Sequence, residues 1–170
     1  MISIRTEIEA RGILLTAGNR AAGIYRQEVI RGGVEATELA LTKVVQATPL
    51  GESGTLWRGW DKRLSPGVPF RAEVFNPVPY GEIVEKGSRP HEIRPRRKKA
   101  LAFIPGGGPG RTTWAERLGS GKTVFAKRVR HPGTRPRRFV EKTVGDLQGS
   151  GSPMWRLWER VIDRIVKELS

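Results

Sequence analysis

The 170 residues suit a single domain of ordinary size, and 37% apolar positions with only 7% aromatic give it a mainly aliphatic core. Cysteine is absent, which excludes disulfides, thiolate metal sites and a cysteine nucleophile, and no run of about 18 apolar residues is available to span a membrane. Lys and Arg number 31 against 17 Asp and Glu, a net charge of +14. Between Lys86 and Arg138, 16 basic residues meet two acidic ones, Glu92 and Glu116, while the rest of the chain holds 15 of each sign. All the excess charge therefore lies in one contiguous segment. Such a field points to a polyanion or to an acidic partner surface; a merely solvated basic face is the other reading.

The opening MISIRTEIEARG mixes charge with apolar residues and lacks the apolar block of a signal peptide, so a cytosolic site of synthesis is expected. Ile2, Ile4 and Ile8 fall on even positions and suit a short strand, while Ile13-Leu14-Leu15 can begin a helix. From Arg20 to Ala47, Ile24, Tyr25, Val29, Ile30, Val34, Leu39, Leu41, Val44 and Val45 recur at helical spacing. Gly32-Gly33 weakens the middle of that helix by about 1 kcal/mol per glycine, so a kink or a division into two helices is expected there. Thr48-Pro49 ends it, because the residue before proline is pushed out of the α region.

After a loop over Leu50–Thr55 and the Leu56–Trp60 segment, Phe70, Ala72 and Val74 alternate with Arg71, Glu73 and Phe75, a half-buried strand. Asn76-Pro77 breaks it. Val78 to Glu85 reads as a short helix with Tyr80, Ile83 and Val84 on one face, closed by Gly87. Lys99–Ile104 and Thr123–Val129 read as strands, separated by a mobile glycine-rich loop over 105–110. His131-Pro132-Gly133 is a turn, and Phe139–Leu147 a short helix.

The QGSGS stretch over 148–152 reads as a flexible linker, and Ser152-Pro153 as an N-cap followed by a first helical residue. The final helix carries Met154, Leu157, Trp158, Val161, Ile162, Ile165, Val166 and Leu169 on one face and charged residues on the other. It can pack on its own core or on a neighbouring subunit, with Trp155, Trp158, Ile162 and Ile165 as interface candidates. The expected architecture is α+β: a long N-terminal helix on a mixed, largely antiparallel sheet, over 1–147, then the linker, then the amphipathic helix over 153–170.

Motifs with chemical promise are few. Gly119-Ser120-Gly121-Lys122-Thr123 looks like the end of a phosphate-binding loop, but Glu116 stands where the first glycine belongs and a strand pattern, not a helix, follows. The glycines at 106, 107, 108 and 110 lack dinucleotide-binding spacing. His91 and His131 have no carboxylate cluster beside them, so they read as loop-shaping residues rather than metal ligands. No nucleophile elbow is present. The expectation is no enzyme, no cofactor and no metal. The dense cationic run Arg94, Arg96, Arg97, Lys98, Lys99, joined by Lys127, Arg128, Arg130, Arg135, Arg137 and Arg138 if the two strands pair, can hold phosphates without reading sequence.

Four blocks, in order, resemble a family of bacteriophage morphogenesis proteins, the tail-completion or head–tail joining proteins of long-tailed phages. The first is the helix ending in Thr48-Pro49, followed by Gly54-Thr55-Leu56-Trp57-Arg58-Gly59-Trp60, where Trp57 precedes Arg58 and Gly59 replaces a usual small hydroxyl residue. The second runs from Asn76 through Tyr80 and Glu85 to Gly87. The third is Pro90–Pro95 leading to Lys99–Phe103, and the fourth joins Val129–Thr134 to Pro136–Val140. The similarity covers about Leu39 to Val144; the first residues and the final helix lie outside it, and the glycine-rich and GSGKT stretch is peculiar to this chain. The resemblance implies a structural role without chemistry: a homo-oligomeric ring, sixfold by the family's tail symmetry, at the head-proximal end of the tail. DNA would pass through it, other tail and connector proteins would flank it, and the protein would reside in the virion after assembly in the host cytoplasm. It also implies that Tyr80, Glu85 and Gly87 are fold or interface positions. The alternative is a DNA-binding module acting without sequence preference through residues 86–138; an enzyme using the GSGKT stretch is the third reading.

Overall fold

The computed structural model describes residues 1–8, 18–51, 53–103 and 124–169. Ile13-Leu14-Leu15, the glycines at 106–110, Glu116 and the GSGKT stretch lie outside the described residues. The fold is α+β. In chain order it comprises β1 (Ile2–Ile8), α1 (Asn19–Ala47), α2 (Thr55–Arg58), β2 (Asp61–Ser65), β3 (Phe70–Asn76), α3 (Gly81–Lys86), β4 (His91–Ile93), β5 (Leu101–Phe103), β6 (Val124–Ala126), β7 (Val129–His131), α4 (Phe139–Leu147) and α5 (Pro153–Leu169). Every described strand pair is antiparallel, and the strands form three pieces: a sheet in the order β1-β3-β2 and two ribbons, β4-β7 and β5-β6.

Helix α1 lies between the three-stranded sheet and α5. On the sheet side, β3 turns Phe70, Ala72, Val74 and Asn76 inward, as its alternation predicts. Phe70 packs with Val29, while Val74 joins Ala40, Val44, Leu56, Trp60, Phe139 and Leu147 in the largest cluster. On the α5 side, Ala36 packs with Leu157 and Val161 of that helix. The helix is continuous through Gly32-Gly33, so the expected division into two helices does not occur. Both glycines are buried. A methyl at Gly32 would come within 2.6 Å of Val161 and 3.0 Å of Trp158, and one at Gly33 would strike the Phe70 ring. The pair lets α5 and the sheet approach the helix closely on adjoining faces, and that packing outweighs the local propensity cost.

Short polar bonds tie the elements together. The Thr48 hydroxyl donates to the Val44 carbonyl at 2.6 Å and accepts the Trp60 indole N–H at 2.8 Å, so the residue that ends α1 also positions the aromatic wall behind it. Asn76, fully buried, donates to the Leu56 carbonyl at 2.7 Å and accepts the Val78 N–H at 3.0 Å. Ser152 caps α5, its hydroxyl accepting the Trp155 N–H at 3.1 Å and donating to the Leu147 carbonyl at 2.9 Å. The segment over 148–152 thus makes a defined turn from α4 into α5, and α5 folds back onto its own α1. The outer sheet face is covered by paired charges: Glu73 bonds Arg5 at 3.2 Å and Arg63 at 3.1 Å, and Glu7 bonds Arg71 at 2.8 Å.

A candidate cationic interface

The described parts of the charged segment, residues 86–103 and 124–138, pair into one arm. Ser88 and Thr134 exchange two backbone hydrogen bonds at 2.9 and 3.1 Å, closing its base. Beyond them His91 pairs with His131, Glu92 with Arg130 and Ile93 with Val129. Farther out, Leu101 pairs with Ala126 and Phe103 with Val124. Between the two ribbons the seven residues Arg94–Ala100 span the same interval as Lys127-Arg128. The expected single strand over Thr123–Val129 is thus split at Lys127-Arg128, and the expected strand over Lys99–Ile104 is described only at Leu101–Phe103, Ile104 lying outside the described residues.

The base of the arm is locked by Glu85. Its two carboxylate oxygens each accept one backbone N–H, from Val140 and from Glu141, at 3.0 Å. These are orphan donors of the first turn of α4, and an anion there is favoured by the helix dipole. Arg137 and Arg138 add backbone bonds to the Val84 and Glu85 carbonyls at 3.0 and 3.1 Å. Gly87 and Gly133 adopt positive φ where the two chain segments cross; a side chain on Gly87 would fall 2.5 Å from the Thr134 carbonyl oxygen. On α3 the buried positions are Gly81 and Glu85, while Tyr80 and Ile83, expected on the apolar face, are exposed. Sequence pattern pointed to the larger side chains; the joint uses the carboxylate instead.

No described residue between Lys86 and Arg138 is buried. Thirteen basic residues are described there, and three have a carboxylate within ion-pair distance: Lys86 with Glu82, Arg94 with Glu92, and Arg138 with Glu141. The other ten have none among the described residues. Arg96, Arg97, Lys98 and Lys99 are exposed between β4 and β5, Lys127 and Arg128 between β6 and β7, Arg130 lies on β7, and Arg135, Arg137 and Arg138 stand at the base. Strand pairing therefore brings the two clusters seen in sequence onto one arm. Glu92, the one acidic residue described on it, is held below the usual carboxylate range, chiefly by the Arg94 hydrogen bond and further by the charges of Arg94 and Arg128.

His91 and His131 stack with ring centroids 4.9 Å apart. The Gly133 N–H donates to His131 Nδ1 at 3.0 Å, and His91 Nδ1 lies 3.0 Å from the Arg89 carbonyl oxygen. Both rings lie on the paired strands of the stem rather than in a loop, and each meets backbone two residues away. Among the described residues no group of three or more His, Asp or Glu is placed to hold a metal ion. The cleft at the arm's base is lined by Glu85, Lys86, Pro136, Arg138 and Glu141, and the Glu85 oxygens there are already bonded to backbone.

The α5 interface candidates divide. Trp158 and Ile165 turn inward and pack against the Ala36–Leu157–Val161 cluster of the same chain. Trp155 and Ile162 remain 51% and 57% exposed. No described helix is long and apolar enough to cross a membrane. Neither a family model, nor a curated protein, nor a solved structure matches the chain.

Proposed function

We propose that this chain is a structural protein of bacteriophage assembly, a tail-completion or head–tail joining subunit that acts as a ring, sixfold, at the head-proximal end of the tail. The observation that carries the reading is where the residues of the resembling blocks fall. Thr48, Asn76, Glu85, Gly87 and Gly133 are the residues whose bonds and tight approaches hold the helices, the sheet and the arm in one frame. They serve geometry, and their polar atoms are engaged by backbone or by one another's neighbours rather than left open to a substrate. A protein that works by shape and contact surface needs those positions and needs no reactive constellation.

In the ring, the exposed Trp155 and Ile162 of α5 would meet a neighbouring copy or an adjoining tail protein, and the cationic arm would face the lumen or an acidic neighbour. The protein would be made in the host cytoplasm and end in the virion. Deleting its gene in the producing phage tests this. Filled heads and complete tails that fail to join are expected; infectious particles formed at normal yield without the chain would overturn the assignment.

A further inference from the structure

We infer that the arm binds the phosphate backbone of duplex nucleic acid, without reading bases, through a guanidinium face of its stem made by Arg94, Arg128 and Arg130 together with the Arg96–Lys99 run beside it. The strand register places these arginines. Residues paired across an antiparallel ribbon share a face, and faces alternate along each strand. His91, His131, Ile93 and Val129 therefore lie on one side of the stem, and Glu92 with Arg130 on the other. Arg94 and Arg128 flank the ends of these strands and both act on Glu92, Arg94 by a hydrogen bond and Arg128 by its charge, so they gather on the Arg130 side. One carboxylate, that of Glu92, stands among three guanidinium groups, and Arg94 already occupies it at hydrogen-bond distance. Arg128 adds its charge at the same carboxylate without an ion pair, and Arg130 and the Arg96–Lys99 run have no carboxylate within ion-pair distance among the described residues.

The chemistry of this surface favours phosphate over an acidic protein. Interfaces between proteins place apolar and aromatic side chains at their centre and deplete charge there. The described arm exposes little of that kind: Ile93 and Phe125 are its exposed large apolar residues. Nucleic-acid interfaces are polar and strongly positive, and arginine forks match phosphate oxygens. Single strands are held by successive aromatic platforms, and among the described side chains of the arm Phe125 is the one exposed Phe, Tyr or Trp ring. A duplex backbone is what fits. The arm owes nothing to the tail assignment in this respect, since its charge and pairing are the same in any assembly.

The full-length chain is titrated against a random-sequence DNA duplex of about three helical turns, by fluorescence anisotropy, between about 50 and about 200 mM salt. Binding is expected to weaken steeply and log-linearly with salt, equally for unrelated sequences. The Arg128→Ala, Arg130→Ala double variant should bind at least about tenfold more weakly and lose close to two from the magnitude of the salt slope. An Arg156→Ala, Arg160→Ala variant on α5 should bind as the parent does, and circular dichroism should show all three proteins folded. No binding at the lowest salt, an equal loss from the α5 variant, or polyglutamate competing as well as DNA at equal charge would each overturn the inference. Those results are independent of the gene deletion: tails that still require a chain unable to bind DNA would sink this surface and spare the assembly role, and the reverse outcome would do the opposite.

Discussion

The body and the arm differ in what their charges join. In the body, Arg164 reaches the buried Glu28 at 2.6 Å and Glu35 at 3.3 Å, joining α5 to α1, and the outer sheet face alternates Arg and Glu so that each has a partner. In the arm most of the described cations have no ion-pair partner, and no described residue between Lys86 and Arg138 is buried. The difference teaches where each region draws its definition. The body is specified by packing, and the charges on its outer sheet face and at the α1–α5 contact are paired within the chain. The arm is specified by pairing and by two glycine crossings at its base, and its charge is left for something outside the chain.

The sharpest way to break that comparison is to attack the body where packing is tightest. Phe70 is fully buried between β3 and α1, against the face of Gly33. Phe70→Ala should cost about 3–5 kcal/mol, read from urea or thermal unfolding. A loss below about 1 kcal/mol would mean that the sheet and helix do not share one core. Next in size is the hinge between the regions. Glu85→Ala strands the Val140 and Glu141 N–H groups and should cost about 1–3 kcal/mol. It should also speed hydrogen exchange at Ser88 and Thr134, whose amides close the arm's base; unchanged exchange there would show the arm to be held without the carboxylate. Ser152→Ala, removing the cap of α5, should cost about 1 kcal/mol in the same unfolding assay.

The sequence carried the local part of this architecture and not the long-range part. The alternation of Phe70, Ala72 and Val74 and the amphipathic pattern of α5 were both legible, because burial on one face leaves a period in the chain. Gly32-Gly33 was misread as a weak point, because its partners Phe70, Trp158 and Val161 come from distant segments. The strand Asp61–Ser65 carried no alternation of apolar residues and exists by pairing to β3. The three-residue β4 and β7 are likewise set by their register with each other. For the interface, the concentration of charge was visible from composition alone, whereas its gathering onto one arm depended on pairing across nearly forty residues. Glu85 was picked out only by resemblance; a lone Glu among apolar helix residues, ahead of a glycine, was the available signal.

A smaller effect sharpens the body's side of the contrast. Glu73 is held below the usual carboxylate range, first by the hydrogen bond from Arg5, which together with Ser3 and the charges of Arg5 and Arg63 outweighs the opposing desolvation. Its folded pKa is depressed, so its contribution to stability is present above the ordinary carboxylate value and is lost as pH falls through the lower folded one. Glu73→Gln should therefore melt below the parent at neutral pH and converge with it in acid. Parallel melting curves across that range would show that the Arg5–Glu73–Arg63 lattice adds nothing.

The smallest expected effect is the most telling for the arm. Replacing Arg96, Arg97, Lys98 and Lys99 by Ala removes four exposed cations that have no ion-pair partner among the described residues. Surface changes of that kind shift stability by no more than about 0.5 kcal/mol each, and relief of like-charge repulsion pushes toward gain rather than loss. Thermal unfolding should thus be unchanged or slightly later than in the parent. If the midpoint fell by several degrees, these side chains would be supporting the fold, and the arm would have to be counted with the body. If it stays while duplex binding drops, charge and stability are separable in this chain, and selection on the arm has acted on what it touches rather than on how it folds.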